Sequence, residues 1–98
     1  MLRNFRLYQA SIRFYQLCKL VRIAAHSKDE LVRASSSVGR NLAEGYGRLA
    51  PKDKKRFYRI SLGSLRECQI IFEQEEVSDA VLADLADFLG GGLYKLAR

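Results

Sequence analysis

Apolar residues recur at helical spacing along most of the chain. Leu7, Ala10, Phe14, Leu17/Cys18, Val21 and Ala24/Ala25 step by three or four, which predicts a first helix over 5–25. A second line, Phe5, Tyr8, Ile12 and Tyr15, lies beside it, so this helix carries more apolar surface than one bundle core needs. Leu31, Ala34/Ser35, Val38, Leu42 and Gly45 form the stripe of a second helix over 28–45. Ser27 with Glu30 reads as a capping box that starts it at Lys28, and Gly45 and Gly47 fit its C-terminal cap. Phe57, Ile60/Ser61, Ser64, Leu65, Cys68, Ile71 and Phe72 define a third helix over 51–75, opened by Pro51 with Asp53 near the positive helix end. Ser78 is the expected cap of a fourth helix over 78–97, carried by Val81/Leu82, Leu85, Phe88/Leu89, Leu93 and Leu96. Gly90-Gly91-Gly92 interrupts that pattern, and each glycine costs about 1 kcal/mol relative to alanine inside a helix. A kink, fraying or a very close helix contact is expected there.

Four such stripes joined by short connections predict an all-α fold, an antiparallel up-down-up-down four-helix bundle in a single domain over 1–98. Two arms are rich in small residues, Ala34–Gly45 and Arg59–Cys68, and should approach closely. Between them Asn41, Glu44, Ser64 and Glu67 sit among apolar neighbours. They are expected to form a buried polar network that fixes helix register, with Arg40 or Arg66 as a partner. A bundle of 98 residues is only modestly stable alone, and oligomerisation would add burial. Tyr8, Ile12 and Tyr15 of the first helix and Val81 and Phe88 of the fourth are the expected subunit interface. The alternative is that both lines belong to one intramolecular core.

Charge changes the picture. The net charge is +6, but residues 1–66 hold 15 Lys and Arg against 4 Asp and Glu, while residues 67–98 hold 2 against 7. This split favours an anionic partner for the first two-thirds, unless the acidic last helix simply complements its basic neighbours. Arg33, Arg40, Arg48, Lys52, Lys54, Lys55, Arg56 and Arg59 are the expected nucleic-acid-binding residues, with Tyr46 and Tyr58 as stacking partners. A solvated basic face is the plainer reading of the same cluster. Arg3, Arg6, Arg13, Lys19 and Arg22 fill the remaining arc of the first helix. A basic amphipathic helix can lie on a membrane, but aromatics spread over two lines and the helices still to be covered favour the bundle, so no membrane partner is expected.

Little in the chain reads as catalysis. Glu44 and Glu67 could pair as carboxylates, yet di-iron bundles need Glu-x-x-His, and the one histidine, His26, falls in a turn. No metal site, cofactor or enzyme activity is expected. Cys18 and Cys68 fall inside predicted helices without CxxC spacing and read as packed thiols. With no apolar core in Met1–Arg6 to suggest a signal segment, these features point to the cytoplasm.

Ser37-Val38-Gly39-Arg40-Asn41-Leu42-Ala43-Glu44-Gly45-Tyr46-Gly47-Arg48, followed by Ser61-Leu62-Gly63-Ser64-Leu65-Arg66-Glu67, resembles the bacterial four-helix-bundle family of proteins encoded by ribosomal RNA intervening sequences. It is also similar to the accessory variability determinant of diversity-generating retroelements. The chain departs from the family pattern at Gly39, where proline is usual, and at Leu49-Ala50-Pro51, often a Ser/Thr-rich turn. The resemblance implies a bundle assembled into a ring, typically a homopentamer, with a basic surface. For the retroelement members it implies binding to nucleic acid and to a reverse transcriptase. The expected function is therefore a non-catalytic oligomeric accessory protein that binds RNA, DNA or an RNA–DNA hybrid without strong sequence specificity. The alternative is a ring-forming protein scaffold whose basic face is incidental.

Overall fold

The structure, a computed structural model, describes the backbone of residues 2–98 and the side chains of residues 4–98. Arg3, assigned above to the basic arc of the first helix, lies outside the described side chains. Four helices make up the fold: α1 (Leu2–Cys18), α2 (Ala25–Gly47), α3 (Pro51–Gln74) and α4 (Ala80–Ala97). No strand occurs among the described residues. Consecutive helices pack on one another and α4 closes back onto α1. Phe14, Leu31, Leu42, Leu65, Leu89 and Leu93 are fully buried between them. Phe14 of α1 and Phe72 of α3 reach across the core and meet edge to face, centroids 6.1 Å apart. The result is a compact all-α globule with the architecture of a four-helix bundle. No described helix is long and apolar enough to cross a membrane.

The end of α1 and the starts of α2 and α4 differ from the sequence expectation. α1 stops at Cys18, not near Ala25, and its last turn tightens through bonds from Leu20 N to Leu17 O (3.0 Å) and Val21 N to Cys18 O (3.2 Å). Val21 and Ile23 still pack on the core, but from a non-helical connection whose alternate residues turn inward. α2 accordingly begins at Ala25, with Ala24 as a cap that makes no side-chain bond. Ser27 is thus inside the first turn, and the capping box with Glu30 does not form. Lys28 Nζ instead donates to Val21 O at 2.6 Å, satisfying the connection. At α4 the cap is Asp79, not Ser78: its carboxylate accepts from Leu82 N at 3.0 Å.

The glycines of α4 resolve into close contact without a break in the helix. A Cβ on Gly92 would lie 2.6 Å from Leu7 Cδ1, and one on Gly90 would lie 3.3 Å from the Arg66 guanidinium, whereas one on Gly91 would meet nothing. Gly45 and Gly47 are not left-handed caps, since no described glycine has positive φ. α2 ends when Arg48 takes an extended conformation. Gly45 is buried because the Tyr58 ring lies against it, in the space a Cβ would fill.

Candidate nucleic-acid interface

The small-residue arms of α2 and α3 meet along a polar seam. Ser37 Oγ and Ser64 Oγ are 2.7 Å apart, and Asn41 Nδ2 donates to both Ser37 Oγ (2.9 Å) and Ser37 O (3.0 Å). Ser61 Oγ donates to Val38 O across the helix pair at 2.6 Å. Among the described residues no buried side-chain nitrogen or oxygen lacks a partner, as a low-dielectric contact requires. Asn41 and Ser64 are therefore joined through Ser37, a residue the sequence reading did not single out. Glu44 and Glu67 lie outside the seam. Glu44 accepts from Arg48 at 3.3 Å and Glu67 from Arg33 at 2.6 Å, all four side chains being substantially exposed. Each carboxylate has its own arginine, and the two share no site.

The seam leads to the tip formed by residues 48–50 and the start of α3. Pro51 opens α3 with its ring where no backbone donor is needed, and Asp53 stands in the first turn. Asp53 is approached by Arg48 (3.7 Å) and Arg56 (3.5 Å). Both guanidiniums also lie over the Phe57 ring, 4.6 and 4.5 Å from its centroid. Asp53 and Phe57 thus hold two arginines in place. Lys54 reaches back across the connection and donates to Gly45 O (3.2 Å) and Tyr46 O (3.1 Å), tying off the carbonyl end of α2.

The eight expected cations are therefore not equivalent. Arg33, Arg48 and Arg56 have carboxylate neighbours and Lys54 caps a helix. Arg40, Lys52, Lys55 and Arg59 make no ion pair among the described residues. Lys52, Arg56 and Arg59, with Ala50, Asp53 and Ile60, line an open cavity of about 750 Å³ on the outer face of α3. The acidic stretch does not neutralise these cations within the subunit: Asp79, Asp84 and Asp87 are exposed and pair with no Lys or Arg among the described residues.

The two expected stackers face each other. The Tyr46 and Tyr58 rings meet edge to face, centroids 6.1 Å apart, and burial pushes both phenols upward in pKa. Tyr58 is buried, and Tyr46 donates its hydroxyl to Asn4 O at 2.8 Å. With Asn4, Phe5, Tyr8 and Lys54 they line a cavity of about 370 Å³. Sequence spacing gave no sign of it, because three helices contribute to it.

Tyr8, Ile12 and Tyr15 form one wall of a groove of about 420 Å³ between α1 and α2, floored by Ser35, Ser36 and Gly39. Val81 and Phe88, each 48% exposed, lie on the outside of α4. Cys18 and Cys68 are buried free thiols; burial pushes Cys18 up to about 12 and Cys68 further in the same direction.

Fold and site together define a small all-helical bundle protein with a satisfied polar seam and a basic tip. The sequence pattern of the 23S rRNA-intervening sequence protein family matches residues 3–80, which takes in nearly all of α1, both arms of the seam and the tip, and the chain belongs to that family. No curated protein and no solved structure matches it.

Proposed function

We propose that the protein is a non-catalytic, oligomeric accessory protein of the cytoplasm that binds RNA, DNA or an RNA–DNA hybrid through its basic tip. The observation that carries this reading is the set of cations with no ion pair among the described residues, Lys52, Lys55 and Arg59 at the start of α3 with Arg40 on α2. Such cations gain from phosphate contact by releasing counterions, with little base specificity. The bundle is read as antiparallel and up-down-up-down. Support comes from the α2–α3 contacts, in which Arg33 meets Glu67, Ser37 meets Ser64, Val38 meets Ser61 and Gly45 meets Tyr58. A homopentameric ring, using Tyr8, Ile12, Tyr15, Val81 and Phe88, would repeat a modest cationic patch around an axis. Such a ring could present nucleic acid to a protein such as a reverse transcriptase.

Charge reversal tests the reading. Lys55→Glu with Arg59→Glu should weaken binding to a short RNA–DNA hybrid at least about tenfold and reduce the slope of log affinity against log salt by about 1 per lost contact. Arg33→Gln, which removes a cation already paired to Glu67, should do less. Unchanged affinity and slope in the double variant would contradict the assignment of the tip.

A further inference from the structure

The cavity bounded by Asn4, Phe5, Tyr8, Tyr46, Lys54 and Tyr58 is not used by the phosphate contacts above. It holds about 370 Å³ at the end of the bundle where α2 gives way to α3. Its walls are built, not incidental. Gly45 lets Tyr58 lie directly against α2, Tyr58 meets Tyr46 edge to face, and Tyr46 is pinned by its hydroxyl bond to Asn4 O. Phe5 is 58% exposed, so its ring face remains accessible from outside. Convergent polar groups are few. Lys54 spends two donors on Gly45 O and Tyr46 O, and an ammonium group has a third. The side-chain amide of Asn4 offers both donor and acceptor chemistry. A mostly aromatic concavity with a few polar groups is the usual form of a small-ligand site. The ammonium in its wall argues against a cationic guest, and the aromatic lining suits a flat one.

We infer that this cavity takes one unpaired nucleobase from a single-stranded segment, stacked against Phe5 and Tyr46. The inference rests on the nucleic-acid reading above and narrows it. Lys55 is an i,i+3 neighbour of Tyr58 on α3, which sets a cation without an ion pair on the same side of the helix as a wall of the cavity. Every base has a π-face, so stacking of this kind tolerates sequence. A base inside a duplex is already stacked and paired, and entering the cavity would require flipping it out. Single strands, bulges and frayed ends are the substrates that fit.

The test compares single-stranded RNA of about 12 nucleotides with an abasic strand of the same length and charge, by fluorescence anisotropy at about 50 mM salt. The base-bearing strand should bind about tenfold more tightly to the unaltered protein. Phe5→Leu keeps apolar bulk but removes the aromatic face; it should bring the ratio towards one and leave abasic binding unchanged. A 2-aminopurine in the strand should be quenched by the unaltered protein and not by the Phe5→Leu variant. Equal affinity for both strands overturns the inference and leaves the cationic tip standing. No binding of either strand overturns both. A full ratio and full quenching in Phe5→Leu would place the base elsewhere and overturn the site.

Discussion

At the scale of single residues, space around a backbone position decides more than residue type. Gly45 and Gly91 both sit in helices, but the first faces the Tyr58 ring and the second faces nothing. Gly45→Ala should destabilise the fold by about 1–3 kcal/mol through overpacking. Gly91→Ala should stabilise it by up to about 1 kcal/mol through helix propensity. Chemical denaturation of both variants checks the pair. The thiols carry a pH consequence. Burial raises Cys18 to about 12, above its usual value of 9.0, and raises Cys68 as well. The folded state therefore keeps both protons where the unfolded state loses them. The stability this represents is fully present below about pH 9 and falls as pH rises from there towards 12. Denaturation midpoints measured across that window should fall, and thiol alkylation at neutral pH should be slow until the protein unfolds. Burial of both cysteines was legible from their helical spacing. Ser37 as the joint between Asn41 and Ser64 was not, because several serines on α2 look alike until α3 is in place.

At the scale of elements, apolar period placed all four helices, and local capping rules placed their ends less well. The stripe in the first helix continues through Val21 and Ile23, yet the chain leaves the helix at Cys18 and keeps those residues on the core from a connection. Period alone cannot tell a helical turn from an extended segment that buries the same side chains. Ser27 and Glu30 had the right spacing for a capping box, but α2 had already begun at Ala25. The fourth helix offers a direct comparison between two adjacent candidate caps. Asp79→Ala should cost about 1 kcal/mol, since its carboxylate accepts from Leu82 N, while Ser78→Ala should be close to neutral. Thermal melts that ranked the two the other way would contradict the cap assignment. The glycine run was legible as a place of exception. Which exception it was depended on Leu7 and Arg66, which lie far away in sequence.

At the scale of the whole molecule, the feature that matters is charge separation. Net charge by segment was readable directly from the sequence, and so was the cluster of cations near the α2–α3 connection. What could not be read was which cations are answered within the subunit. Glu67 comes from the acidic stretch but crosses to Arg33, and Glu44 and Asp53 occupy Arg48 and Arg56, leaving Arg40, Lys52, Lys55 and Arg59 open. The Arg33–Glu67 and Arg48–Asp53 pairs cross between elements, so composition could not assign them, whereas Glu44–Arg48 and Asp53–Arg56 are i,i+4 and i,i+3 neighbours. Surface pairs of this kind are weak, and the paired arginines can still exchange a carboxylate for a phosphate. The aromatic cavity beside the tip was hidden for the same reason: Phe5, Tyr46 and Tyr58 belong to three helices.

The measurement that bears most directly on the basic-tip assembly is light scattering behind a sizing column, with and without a short RNA–DNA hybrid, at about 50 mM and about 500 mM salt. The prediction is an assembly larger than a monomer at both salts that takes up the hybrid at the lower salt only. A monomer that ignores the hybrid at both salts would contradict the proposed interface on α1 and α4 and the proposed role of the basic tip together.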